Sequence, residues 1–106
     1  MTVVDLRPYT RTRSAIMEAD FALATAHAKG ITVVKFLHES DRVSELLRRS
    51  MRFHKREGRV RFLIPGEKFE PMDQATRYLF DRLPETEQDE DLGKKNKNMT
   101  IVFIEP

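Results

Sequence analysis

A layered α/β fold follows from three features of this chain. Short β-branched or apolar runs, at Val3 and Val4, residues 31–37 and residues 99–104, alternate with stretches in which apolar residues recur at helical spacing. A glycine, Gly30 or Gly58, closes each of the first two helical stretches. The 106 residues, 40% hydrophobic and 34% charged, suffice for one domain with its own core and not for two. The predicted class is α/β, a two-layer α/β sandwich of order β-α-β-α-β-(α)-β with a four-stranded sheet, mixed or parallel.

The first strand is short, with Val3, Val4 and Leu6 closed by Pro8. From about residue 13 to 29, Ile16, Ala19, Leu23 and Ala26 fall on one helical face, with Ala15 and Ala22 beside them. Residues 31–37 are too short for a helix and nearly all apolar, as in a strand covered on both faces. Ser40 or Asp41 then caps a second helix, whose inner or boundary face carries Val43, Leu46, Leu47, Ser50 and His54. In "RVRFLIPG", Val60, Phe62 and Ile64 alternate with Arg59, Arg61 and Leu63, a third strand ended by Pro65 and Gly66. A short third helix over 73–83 would turn Ala75, Tyr78, Leu79 and Leu83 inward. Residues 84–98 have almost no apolar content and are expected to form a mobile charged loop before the final strand. Right-handed crossovers make strands 1, 2 and 3 parallel, whereas the direction of the last strand stays open.

Composition excludes several functions. The chain has no cysteine, hence no disulfide, thiolate metal site or sulfur redox chemistry. No apolar run reaches the roughly 18 residues of a membrane span, and the N-terminus lacks a signal-peptide pattern, so we expect a cytoplasmic protein with no membrane partner. His27, His38 and His54 lack ligand spacing, and there is no phosphate-binding glycine motif, so neither a metal nor another cofactor is expected. The net charge is only +2, but its distribution is uneven. Residues 41–61 hold eight Lys or Arg against three acids, while residues 85–91 hold five acids and no base.

Sites in open α/β sheets collect beyond the carboxyl ends of parallel strands. Asp5 and Arg7 after strand 1 and His38 after strand 2 are therefore candidate catalytic residues. A carboxylate, a guanidinium and an imidazole together could orient a nucleophile, stabilise charge on phosphate and transfer protons. The alternative is structural: Asp5 paired with Arg7, and His38 satisfied at a strand end. Arg42, Arg48, Arg49, Arg52, Lys55 and Arg56 on the second helix form a candidate nucleic-acid-binding stripe, whose alternative is a solvated helix face.

The stretches "VVDLR", "ITVVKFLH" after Gly30, the arginine-bearing helix and "NMTIVFI" resemble the Smr (small MutS-related) domain. Asp5, Leu6 and Arg7 match the family's first motif, His38 the histidine of its second, and Thr100, Ile101 and Val102 its last strand. Pro8 stands where the first motif has glycine, and Glu39, Ser40 and Asp41 replace the glycine-rich loop after the histidine. The resemblance implies a β-α-β-α-β-β sandwich similar to the C-terminal domain of translation initiation factor 3. It also implies binding of RNA or DNA and, in several members, endonuclease activity on phosphodiester bonds, here without a metal. A non-catalytic module that presents residues 67–98 to a protein partner is the alternative.

Overall fold

The computed structural model describes residues 1–104. Its elements are β1 (Thr2–Asp5), α1 (Thr12–Ala28), β2 (Val33–Leu37), α2 (Asp41–Arg56), β3 (Phe62–Pro65), α3 (Gln74–Arg82) and β4 (Met99–Phe103), with 3₁₀ turns at Gly66–Lys68 and Pro84–Gln88. The strand order is β1-β2-β4-β3. β1 and β2 are parallel, and β4 runs antiparallel to both β2 and β3, so the sheet is mixed.

Strands β1, β2 and β3 share one direction, as expected, but β3 is not the neighbour of β2. The last strand inserts between them. Every residue of β4 is buried, and an apolar run of that kind gains most where both faces and both edges are covered.

The fold is a two-layer α/β sandwich in which α1 and α2 cover one face of the sheet. Small residues Ala15, Ala19 and Ala26 let α1 approach closely, and Leu23, Phe36, Leu47, Met51 and Val102 fill this core. Gly30 ends α1 at φ +71°, and the Ile31 N–H returns to the Ala26 carbonyl at 2.9 Å. Ser40, rather than Asp41, caps α2: its hydroxyl accepts from the backbone N–H groups of Arg42 and Val43 at 3.1 and 3.2 Å.

The opposite face of the sheet is overlaid by α3 and the chain around it. Asp73 caps α3, accepting from the Thr76 N–H at 3.0 Å, and Leu79 packs with Ile64, Phe69, Ile101 and Phe103. The segment 84–98, expected as a mobile loop, makes definite contacts here. Thr86 is buried in its 3₁₀ turn, Leu92 packs against the core, and the Gly93 N–H donates to the Phe69 carbonyl at 2.8 Å. The Lys35 ammonium in β2, though buried, donates to Asp89 at 2.8 Å and to Asp91 at 2.5 Å. Burial alone would lower the Lys35 pKa, but the bonds and charges of the two carboxylates outweigh it and raise it.

Candidate nucleic-acid interface

The parallel register pairs Asp5 with Leu37, and the Leu6 N–H donates to the Leu37 carbonyl at 2.8 Å. Asp5, Arg7 and His38 therefore lie at one end of the sheet. Their side chains do not share a face. Paired residues project to the same side, so Asp5 leaves with Leu37, while His38, one residue further, leaves on the side of α2.

Asp5 and Arg7 hold each other. The guanidinium donates from Nε to Oδ1 at 2.8 Å and from Nη2 to Oδ2 at 2.9 Å, and the Arg7 backbone N–H adds a bond to Oδ1 at 2.9 Å. The Arg7 side-chain bonds, followed by its backbone bond, lower the Asp5 pKa to about 2. The pair is exposed, ionised and internally neutralised.

His38 is enclosed, with 1% of its surface exposed. Its Nε2 lies 3.0 Å from Thr100 Oγ1, and its Nδ1 has no hydrogen-bond partner among the described residues. Burial, and then the charge of Arg48, push its pKa down to about 4, against a smaller opposing pull from Glu67. Its charged neighbours are thus Arg48 and Glu67, not Asp5 and Arg7.

Arg48 makes the enclosure. Its Nε donates to Thr100 Oγ1 at 3.1 Å, and its two terminal nitrogens grip Glu67 at 3.2 and 2.9 Å. Nη2 also reaches the carbonyls of Lys97 and Met99. Burial would raise the Glu67 pKa, but the Arg48 bonds and charge bring it down. Arg48 therefore turns inward as a strut between α2, β4 and the turn after β3.

The remaining members of the basic stripe point outward. Arg42, Arg49, Arg52, Lys55 and Arg56 are exposed, and none forms an ion pair with an acid among the described residues. Arg42, Arg49 and Arg56 recur every seven residues and line the groove between α2 and α1. Arg52 and Lys55 lie on the side toward β3, beside Lys68.

A further cluster links the two helices. Asp20 Oδ1 accepts from Ser50 Oγ at 3.1 Å and sits 3.0 Å from His54 Nε2, while Arg59 Nε donates to His54 Nδ1 at 2.9 Å. With Nδ1 accepting, the neutral ring carries its hydrogen on Nε2, toward Asp20. A serine, a histidine and an aspartate meet here, but the serine bonds the carboxylate and not the imidazole, so no base activates it. The cluster fastens α1 to α2. Among the described residues no group of three or more His, Asp or Glu side chains could hold a metal ion, and no helix is long and apolar enough to cross a membrane.

No protein-family model and no curated protein matches the chain in sequence. In three dimensions it is similar to the crystal structure of the Smr domain of Thermus thermophilus MutS2, with a TM-score of 0.64 and 21% identity over 100% of each chain. β1 with Asp5, β2 with His38 just beyond its end, and β4 with Thr100, antiparallel between β2 and β3, thus belong to an Smr-like fold.

Proposed function

We propose that the chain is a nucleic-acid-binding Smr-like domain that grips the phosphate backbone of RNA or DNA through Arg42, Arg49, Arg52, Lys55 and Arg56. The observation that carries this reading is five exposed cations on one helix with no acidic ion-pair partner among the described residues, while Arg48 of the same helix is engaged inside. Unpaired arginines at that density suit phosphate, which their planar forks bind in a bidentate manner. Electrophoretic retardation of RNA and DNA at low salt tests it. Wild type should retard both, and Arg42→Ala with Arg49→Ala should weaken retardation without altering the melting temperature. Free migration of both nucleic acids at low salt would remove the reading.

Phosphodiester cleavage by Asp5, Arg7 and His38 is a second reading, supported by the ionised, exposed Asp5–Arg7 pair at the sheet end from which His38 also departs. It requires Arg48 and Glu67 to swing away, because a ring so enclosed touches no phosphate. Metal-free incubation with RNA and with DNA decides the matter. Products that vanish in both Asp5→Ala and His38→Ala support cleavage; intact substrate where binding is measured leaves binding alone. The competing idea of a protein partner at residues 67–98 loses part of its surface, since Asp89 and Asp91 face Lys35.

A further inference from the structure

We infer that the groove between α1 and α2 takes single-stranded nucleic acid, an unpaired base stacking on Phe53 while Arg42, Arg49 and Arg56 hold phosphates spaced along the strand. The inference rests on the nucleic-acid reading above and narrows it to one strand form. The groove has a volume of about 720 Å³ and largely apolar walls. Ile16 and Met17 line it from α1, Leu46 and Phe53 from α2. Scattered apolar side chains are normal on a surface. Here, however, Met17 at 63% exposure and Phe53 at 44% line the same groove and make one patch.

The cations sit around this patch. Arg42, Arg49 and Arg56 follow one another at two-turn intervals, roughly 10.5 Å along the helix axis. Arg13 of α1 lines the same groove. Arginine stems can cover apolar surface while their guanidiniums stay in water, which explains carbon walls beside a charged mouth. The guanidiniums of Arg56 and Arg59 lie over the Phe53 ring at 5.9 and 5.7 Å from its centroid, so the ring already holds cations by its π-face, and a stacking base takes the place of one of them.

Duplex nucleic acid has no use for such a groove, because its base faces are hidden in the stack and only backbone and base edges are offered. An unpaired strand offers both an aromatic face and a neighbouring phosphate, the two features the groove complements. An acidic amphipathic helix would satisfy the arginines and the apolar walls, but it would gain little from an aromatic ring flanked by guanidiniums.

The test compares a labelled single strand of about sixteen nucleotides, more than enough to span the helix, with a duplex of the same sequence by fluorescence anisotropy at low salt. The proteins are wild type, Phe53→Ala and Phe53→Leu, the last keeping the apolar wall and removing only the aromatic face. The single strand should bind more tightly than the duplex. Both substitutions should weaken it about tenfold and leave duplex binding unchanged. Phe53 is exposed, so both variants should fold; if Phe53→Ala melts lower, Phe53→Leu carries the test. Wild-type affinity of Phe53→Leu for the single strand, or equal losses on single strand and duplex, overturns the stacking inference while the arginine reading stands. Binding of an acidic amphipathic peptide in the groove without binding of the single strand replaces it with a protein partner. Failure of both nucleic-acid forms to bind defeats the nucleic-acid reading itself.

Discussion

His38 illustrates how a residue's position in the sequence and its environment can part company. Its place at the end of an apolar strand is legible in "FLHES", as is a helix cap at Ser40 or Asp41, which the structure gives to Ser40. Its enclosure is not legible, because Thr100, Arg48 and Glu67 arrive from β4, α2 and the turn after β3. The consequence is a pH dependence of stability. The folded pKa, about 4, lies below the unfolded value near 6.5, so the unfolded chain binds the proton more readily between them. Stability from this group is therefore complete above about pH 6.5 and falls by roughly 1.4 kcal/mol per pH unit down to about 4. Denaturant unfolding across that range should show the slope in wild type and a flatter profile in His38→Gln; equal slopes would mean that His38 is not the group responsible. Gly66 makes a second residue-level case. Read in sequence as a turn residue after Pro65, it is required for another reason: a Cβ there would lie 1.7 Å from the Asn96 carbonyl oxygen. Gly66→Ala should cost at least about 2 kcal/mol in denaturant unfolding, as overpacking against backbone does. A cost near zero would show that the 96–99 segment yields easily.

At the scale of elements, the helices and strands were largely readable because each carries its own period and punctuation. Helix α1 announces itself through Ala19, Leu23 and Ala26, although the fourth buried residue of that face is Ala15 and not Ile16, and α3 through Leu79 between Asp73 and Leu83. Within α2 the sequence showed a basic helix but not the division between Arg48, turned inward, and its outward neighbours, because the partner of Arg48 sits nineteen residues away at Glu67. Lys35 did leave a signal. A lysine inside an apolar strand requires a counter-charge, and the acidic run at 85–91 is the obvious donor of one, though composition alone reads that run as solvated. Lys35→Met should leave Asp89 and Asp91 facing each other without a cation. Both carboxylates are partly exposed, so a loss of about 2 kcal/mol is expected, smaller than for a fully buried pair. Hydrogen exchange should quicken in 84–98 more than in β4. Uniform quickening would mean that the ion pairs serve the whole core and not this segment.

For the whole molecule, the α/β class and a sheet of four strands follow from the order of elements, while the sheet order β1-β2-β4-β3 does not. Nothing local in "NMTIVFI" states that the last strand enters between the second and third; only the burial of all its residues, once the layers assemble, makes the central position favourable. The same assembly sorts the charges. Acids at 89 and 91 are drawn onto the sheet, Asp5 is occupied by Arg7, and Arg42, Arg49, Arg52 and Arg56 on the outward side of α2 meet no acid among the described residues. We propose that this side binds nucleic acid. The deciding measurement is the salt dependence of affinity for a single-stranded oligonucleotide, in wild type and in the variant combining Arg42→Ala, Arg49→Ala and Arg56→Ala. Each phosphate contact contributes roughly 0.7 to the slope of log affinity against log salt, so loss of three contacts should make the slope shallower by about 2. A slope unchanged by the three substitutions, or wild-type affinity that does not respond to salt, would contradict it.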